Sequence, residues 1–389
     1  MIMRDVAIIG VGLTRFGERW EYGLRELMAE AGLNALNDAK LESSDVDILY
    51  GGVMASGRFV GQEHIAALLA DQLGFSNIPA VRVENACASG GTALRQGYIA
   101  VASGLHDIVA VGGVEKMTDV TTSEATTALG GAGDQEWELG QGITFPGLYA
   151  LMAKRHMYEY GTTEEQMAAV AVKNHKNAAK NKYAQFHKEI TIHDVLKSKM
   201  VADPLKVFDC SPISDGAAVV LLAPLEKAKK YNDTPIKIIG STQATDTLRL
   251  AERDTLTAIK ATQIAADRAY SQAKVKPSDI DVTEVHDCFT IAEILAMEDL
   301  GFYKKGKAAK AIAAGETALN SKLSVNTSGG LKGCGHPVGA TGVKQAVEIT
   351  WQLRGDAGER QVNGAEIGLT HNVGGSGATA VVHIMKRVN

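Results

Sequence analysis

Cys87 stands where a thiol could act as a nucleophile. It lies in the stretch NACASGG, between an apolar run typical of a strand and a helix predicted over Ala88–Gly104. The free N–H groups and partial positive charge of a helix N-terminus favour a thiolate, so this position predicts a lowered thiol pKa. The alternative is a buried cysteine that packs as a small hydrophobic residue, and Cys87 taken alone does not exclude it.

Three other stretches carry side chains that could work with this thiol. His336 lies in GCGHPVGATG just before a predicted helix, His286 and Cys288 lie in EVHDCF after a predicted strand, and His371 lies in LTHNVGG at the end of another. Each histidine alone could be structural. Together they predict a site in which Cys87 faces His336, the nucleophile and base that thiol catalysis requires.

Other interpretations of these stretches are weaker. Gly10 and Gly12 begin a GxGxxG-like pattern, but Arg15 takes the third glycine position, and GGLKGCGH lacks the GK[ST] ending of a phosphate loop. Cys334 and His336 with Cys288 and His286 match no common structural zinc spacing. We therefore expect neither a dinucleotide nor a metal.

Composition narrows the class of protein. The 389 residues are 45% hydrophobic and 22% charged, which is typical of a globular chain, and the net charge of −5 argues against nucleic acid as a partner. No apolar run reaches the roughly 18 residues of a membrane span. The four cysteines have no CxxC spacing and suggest no disulfide framework, so we expect a reducing, cytoplasmic location.

The elements that must position these residues alternate between strands and helices, which predicts an α/β fold with a mainly parallel, helix-covered sheet. The two ends of the chain also resemble each other in a conserved order, which indicates an internal duplication. The matched pairs are 41–52 with 275–287, 63–74 with 290–301, 88–104 with 338–355, 106–118 with 365–377 and 214–223 with 375–385.

The domain prediction follows from this duplication. We expect an N-terminal half over 1–245 and a C-terminal half over 246–389, with an inserted loop domain at about 118–209 in the first. The duplication would bring two helix N-termini together across a pseudo-twofold axis, those of the helices after Cys87 and His336. An insertion of this length over such a face is usually a lid or a binding domain.

The four loops together resemble the thiolase superfamily over essentially the whole chain. NACASG resembles the nucleophile loop, and GHPVGATG the GHP loop; HDCF stands where many thiolases have NEAF, and HNVGGSG where many have a CxG loop. The combination of HDCF with an HN-type last loop is similar to the sterol-carrier-protein-type and archaeal acetoacetyl-CoA thiolases. The resemblance implies duplicated βαβαβαββ halves in an α-β-α-β-α layered architecture.

The resemblance also implies roles in a Claisen condensation of CoA thioesters. Cys87 would carry the acyl group, and His336 would take the proton of the Cys87 thiol. Many thiolases use the cysteine of the CxG loop as the second acid/base, but this chain has His371 there, so Cys288 is the expected replacement, with Cys334 and His371 in reserve.

Oxyanion and CoA contacts are implied in the same way. One oxyanion hole would combine His286 with His336, and the other would use the backbone N–H of Cys87 and of Val373 or Gly374. CoA would lie on the 118–209 insertion, with its pantetheine arm near Gly240 and Ser241. Coenzyme A thioesters would be the substrates, and no cofactor is expected.

The expected function is that of an acetyl-CoA C-acetyltransferase, which makes acetoacetyl-CoA for the first step of mevalonate and isoprenoid synthesis. The alternatives are a degradative 3-ketoacyl-CoA thiolase of broader chain length and a non-catalytic thiolase-like subunit; HDCF and GHP argue against a ketosynthase. The family implies a homodimer or homotetramer. Its archaeal branch also implies hydroxymethylglutaryl-CoA synthase and a small OB-fold, zinc-ribbon protein as partners, with neither nucleic acid nor membrane.

Overall fold

The computed structural model describes residues 3–388 and contains a mixed sheet of ten strands and a separate two-stranded hairpin. The strands are β1 (Val6–Leu13), β2 (Ile48–Gly52), β3 (Ala80–Val83), β4 (Val109–Glu115), β5 (Met200–Ala202), β6 (Leu205–Lys206), β7 (Gly216–Pro224), β8 (Ile236–Thr245), β9 (Val282–Glu284), β10 (Ser324–Val325), β11 (Ile367–Gly374) and β12 (Thr379–Arg387).

Helices fill most of the connections. They are α1 (Leu24–Ala39), α2 (Ser56–Phe59), α3 (Ile65–Gln72), α4 (Ser89–Ser103), α5 (Thr122–Gly130), α6 (Phe145–Tyr160), α7 (Glu164–Ala178), α8 (Ile192–Lys197), α9 (Leu225–Ala228), α10 (Lys260–Ala273), α11 (Thr290–Asp299), α12 (Ala308–Ala313), α13 (Gly330–Cys334) and α14 (Thr341–Arg354). Local sequence sets several ends: Thr163 and Gln166 cap the first turn of α7 reciprocally, and Gly104 ends α4 at a φ of +84°. Among the described helices, none is both long and apolar enough to cross a membrane.

The order of strands in the main sheet shows the duplication. It runs β10-β9-β11-β12-β8-β1-β7-β4-β2-β3, so each half follows the same order outward from the β1–β8 pair that joins them. Each half is a βαβαβαββ unit, which confirms the predicted duplicated α/β fold. The parallel pairs lie at the two outer ends, whereas the centre is antiparallel, because the last strand of each half, β7 or β12, runs opposite to both its neighbours and β1 runs opposite to β8.

Helices α4 and α14 form the layer between the two halves, while α1 and α3 cover the outer face of the first half and α10 and α11 that of the second. The two central helices meet through glycines at their N-termini. A Cβ atom on Gly342 would lie 2.1 Å from the Gly91 nitrogen, and one on Gly90 would lie 2.6 Å from the Gly339 carbonyl oxygen. The absence of these side chains therefore lets the predicted meeting of helix N-termini occur.

The insertion lies between the ends of β4 and β7 and carries α5 to α8 with the β5–β6 hairpin. By strand order, β8 is the first strand of the second repeat, so a boundary at residue 245 assigns that strand to the first half. The domain limits remain a prediction. The insertion matters for the site because its side chains form much of one cavity wall.

Candidate active site

A cavity of about 490 Å³ lies between the two halves and the insertion. Cys87, Cys288 and His336 all line it, so the structure brings these three predicted residues together. The rest of the lining is mainly apolar and comes largely from the insertion and the segment after it: Leu129, Phe145, Pro146, Tyr149, Phe186, Val201, Val207, Phe208 and Ile213.

Cys87 lies in a tight turn between β3 and α4. Ala86 has a φ of +51°, in the left-handed region that residues with a Cβ rarely adopt. Ser89, the first residue of α4, holds this turn: its Oγ accepts from the Asn85 N–H at 2.9 Å and donates to the Ala86 carbonyl at 2.6 Å. The half-buried thiol is thus held at the cavity wall by a strained backbone that α4 anchors.

The prediction of a lowered pKa for Cys87 is wrong. Burial raises the pKa of the thiol from 9.0 to about 12, and the nearby Glu115 carboxylate adds to the rise. The backbone N–H groups of Gly375 and of Cys87 itself oppose it. A helix dipole is worth about 1 kcal/mol, less than one pKa unit, so burial outweighs it here. The resting group is a thiol that needs a base.

His336 supplies a lone pair beside that thiol. Its Nδ1 lies 2.7 Å from Thr341 Oγ1, and the Thr341 hydroxyl donates to the Pro337 carbonyl at 2.9 Å. The hydroxyl therefore accepts from Nδ1–H, which leaves Nε2 as the basic nitrogen; within residues 3–388 it has no hydrogen-bond partner. Burial and the Lys344 charge lower the pKa of His336 to about 3, so the imidazole is neutral at rest.

His286 lies across from His336, with ring centroids 5.1 Å apart and the planes nearly perpendicular. The Cys87 sulfur and one ring nitrogen of each histidine all lie within 4.8 Å of one another. His286 Nδ1 lies 3.2 Å from Asn372 Nδ2, and its Nε2 has no partner in the described part of the chain. Burial, and next the His336 charge, hold the pKa of His286 well below its usual range.

Cys288 lies on the same cavity wall, 6% exposed, where its backbone carbonyl accepts from the Ser211 N–H at 2.9 Å. Burial raises the pKa of this thiol strongly, and the charge of a Cys87 thiolate would raise it further. A second thiol is therefore placed near the first, although its role stays a prediction.

The two reserve residues lie away from the cavity. His371 points to the opposite face of β11, where its Nε2 lies 2.9 Å from Thr262 Oγ1 on α10. The reason is the alternation of side chains along a strand: Asn372, not His371, faces Cys87. Cys334 is fully buried on α13 and packs in the core between the halves. Neither is placed to act as the acid/base.

The backbone predictions are also corrected. Val373 and Gly374 are paired within the β11–β12 ladder, and the backbone N–H groups that act on the Cys87 thiol are those of Gly375, just beyond the strand, and of Cys87 itself. Gly240 and Ser241 lie inside β8, paired with β12 and close to α10, and they are not part of the cavity lining. A central strand covered by a helix offers no surface to a pantetheine arm.

Two cavity features were missed by sequence reasoning. Tyr149 donates its hydroxyl to the Gly375 carbonyl at 3.1 Å, which ties the insertion to the loop beside Cys87. Lys332 is 1% exposed, lines the cavity, and its Nζ has no partner among residues 3–388; burial lowers its pKa. The lysine was visible within GGLKGCGH, but nothing in the sequence shows which way it points.

Glu115 joins the two halves beneath the site. Its buried carboxylate accepts from the Met54, Ala55 and Gly339 N–H groups at 2.9, 3.0 and 3.1 Å. Burial raises its pKa from 4.5 to about 7. Because the pKa of Glu115 is higher in the folded protein than in the unfolded chain, the protonated carboxyl stabilises the fold. This stabilisation is complete below the pKa of the unfolded chain and is lost as the pH rises through about 7.

In the unaltered protein, titration of Glu115 should lower the free energy of unfolding between about pH 5 and about pH 8 by at most about 3 kcal/mol. We expect Glu115→Gln to remove this part of the decrease. Urea unfolding of both proteins at the two pH values measures it. The comparison is the difference between pH values within each protein, so a uniform loss of stability in the variant does not matter. An unchanged pH difference would contradict the assignment.

Two family descriptions match consecutive parts of the chain. The description "Thiolase, N-terminal domain" matches residues 6–226, and "Thiolase C-terminal domain-like" matches residues 242–387. An acetyl-CoA acetyltransferase of Methanothermobacter thermautotrophicus is 57% identical over 99% of this chain and 100% of its own length. Sterol carrier protein 2 of Gallus gallus is 36% identical over 98% of this chain and 72% of its own.

A solved structure described as "Ltp2-ChsH2(DUF35) aldolase" aligns with a TM-score of 0.84 at 27% identity, covering 98% of both chains. Human mitochondrial 3-ketoacyl-CoA thiolase in complex with CoA aligns with a TM-score of 0.74 over 100% of this chain and 99% of its own; at 17% identity it shows the fold alone. Family descriptions that together span nearly the whole chain, and relatives this similar, lead to one conclusion: the chain belongs to the thiolase family.

Proposed function

We propose that this protein is an acetyl-CoA C-acetyltransferase that condenses two acetyl-CoA molecules into acetoacetyl-CoA and CoA. One observation carries the proposal: the Cys87 sulfur lies within 4.8 Å of one ring nitrogen each of His286 and His336 in an apolar cavity. A thiol next to a neutral imidazole is the arrangement that acyl transfer through a covalent intermediate requires. The acetyltransferase relatives at 57% and 51% identity support acetyl-CoA as the substrate.

The first half-reaction acylates the thiol. Cys87 Sγ attacks the thioester carbonyl of acetyl-CoA while its proton moves to His336 Nε2, and the carbonyl oxygen accepts a hydrogen bond from His286. The C–S bond to CoA then breaks. The departing CoA thiolate takes the Cys288 proton and leaves as CoA, so the cavity holds acetyl-Cys87, a Cys288 thiolate and a protonated His336.

The second half-reaction forms the carbon–carbon bond. Cys288 removes a methyl proton from a second acetyl-CoA, and the resulting enolate carbon attacks the thioester of acetyl-Cys87. The Cys87 sulfur leaves and regains its proton from His336, which restores the resting state. His286 donates a hydrogen bond to the developing oxyanion. It thereby stabilises negative charge that is present during each half-reaction but not before or after it.

We also propose the substrates, the pathway and the partners of this reaction. Coenzyme A thioesters would be the substrates and no cofactor would be required. Because the condensation is uphill, a following enzyme that consumes acetoacetyl-CoA, such as hydroxymethylglutaryl-CoA synthase in mevalonate synthesis, would draw it forward. A homodimer or homotetramer and a small OB-fold, zinc-ribbon partner belong to the same proposal; the structural likeness to an assembly with a DUF35 component supports the latter.

The function is tested by incubating the protein with acetyl-CoA and following acetoacetyl-CoA and CoA by liquid chromatography and mass spectrometry. We expect both products in equal amounts, and faster thiolytic cleavage of acetoacetyl-CoA than of a long-chain 3-ketoacyl-CoA. Faster cleavage of the long chain would favour the degradative thiolase. A folded protein that performs neither reaction would favour the non-catalytic subunit.

A further inference from the structure

The Asn372 side chain connects the groups around the reactive thiol. It is 2% exposed, and its Oδ1 accepts from the Gly91 N–H of α4 at 3.1 Å. Its Nδ2 donates to the Cys87 carbonyl oxygen at 3.0 Å and lies 3.2 Å from His286 Nδ1. Two backbone groups of fixed polarity therefore determine which way the amide points, because a flipped amide would place donor against donor at Gly91 and acceptor against acceptor at Cys87.

This orientation fixes the proton on His286. An amide nitrogen only donates, so His286 Nδ1 must accept, and the ring proton must reside on Nε2. His336 is held in the opposite tautomer, since its Nδ1–H donates to Thr341. The two imidazoles consequently present one N–H donor and one lone pair to the same space beside Cys87.

The same three residues would otherwise be a metal-ligand set. One cysteine sulfur and two histidine nitrogens within 4.8 Å of one another have the donors of a three-residue zinc site with an open position. A metal needs a lone pair on Nε2 of both rings. On His286 that would move the proton to Nδ1, where it would face the Asn372 amide donor.

We propose that Asn372 is a positioning residue that holds His286 in the Nε2–H tautomer. In this role it makes His286 a hydrogen-bond donor to an oxyanion, a consequence that rests on the proposed function. It also makes the Cys87–His286–His336 set a poor site for divalent metal, a consequence that is independent of the proposed function. A carboxylate in place of the amide would reverse both effects. It would accept a hydrogen bond from Nδ1–H and so orient His286 Nε2 toward a metal.

The first test uses the unaltered protein. In ¹⁵N-histidine-labelled protein, we expect long-range ¹H–¹⁵N spectra to show His286 protonated on Nε2 and His336 protonated on Nδ1, with His286→Gln and His336→Gln variants assigning the signals. His286 protonated on Nδ1 would overturn the proposal. This measurement needs neither substrate nor activity.

The second test is Asn372→Asp. We expect the His286 proton to move to Nδ1, kcat to fall by about 10²- to 10³-fold with KM changed by less than about threefold, and Co²⁺ to bind with a thiolate charge-transfer band absent from the parent protein. The C87A/N372D double variant should lack that band. Equal Co²⁺ binding by parent and N372D proteins would overturn the proposal.

These readouts separate the proposal from the proposed function. If the parent protein turns over no acetyl-CoA but shows the expected tautomers and excludes Co²⁺, the positioning role stands and the proposed function falls. If turnover is normal and His286 carries its proton on Nδ1, the reverse holds.

Discussion

Cys87→Ala is expected to lower acetyl transfer by at least about 10⁵-fold, and the variant should carry no acetyl group after incubation with acetyl-CoA. The reason is that the proposed mechanism attaches the acyl group to this sulfur, so no neighbouring group could substitute for it. Intact-mass spectrometry after rapid acid quench measures the adduct, and peptide mapping should place it on Cys87 in the unaltered protein.

Cys210→Ser provides the matched control, because Cys210 is a second half-buried thiol that lines the same cavity. Its sulfur donates to the Lys206 carbonyl at 3.4 Å, a contact that a serine hydroxyl can keep. We expect this variant to form the adduct on Cys87. An active enzyme that shows no adduct on Cys87 would rule out the covalent mechanism.

Cys288→Ala is expected to separate the two half-reactions. Acetylation of Cys87 should still occur, slowed only by loss of the proton that Cys288 gives to the departing CoA, whereas exchange of the acetyl-CoA methyl protons with deuterated solvent should slow by about 10²- to 10⁴-fold, the usual contribution of a positioned acid or base. Condensation should slow by the same factor. Deuterium incorporation is followed by mass spectrometry of the recovered acetyl-CoA.

Cys334→Ala is the matched control for Cys288→Ala, because Cys334 is also a buried thiol but lies away from the cavity. Its proton exchange should match that of the unaltered protein. If Cys288→Ala exchanged methyl protons at the normal rate, the acid/base role would pass to His336, whose buried Nε2 has no hydrogen-bond partner among residues 3–388.

The overall architecture was predictable because the sequence contains an internal duplication. The order of strands and helices in the two halves fixed the equivalence of the Cys87 and His336 turns, and glycines such as Gly90 and Gly342 allowed the two helices to meet. The convergence of Cys87 with His336 followed from that symmetry. Cys288 also lies at the cavity, as its place after a strand had suggested.

The details that failed depend on quantities that a sequence does not contain. Whether His371 or Asn372 faces the thiol depends on the phase of strand β11, and a shift of one residue exchanges the two faces. The pKa of Cys87 depends on how deeply the insertion buries it, which the favourable helix position alone does not reveal. The expected contact of Gly240 and Ser241 with the pantetheine arm fails because these residues pair with β12 inside the sheet, and that pairing depends on residues far away in the sequence.

The Asn372–Cys87 contact also bears on how the chain is made. The two residues are 285 positions apart, and the strand that carries Asn372 belongs to the last hairpin of the sheet. During synthesis, the segment with the reactive thiol leaves the ribosome long before the residues that complete its surroundings. Loops this long form slowly, so a nascent chain passes through a period in which Cys87 is exposed to oxidants and metals. The Cys87 thiol is therefore less protected in the nascent chain than in the folded protein.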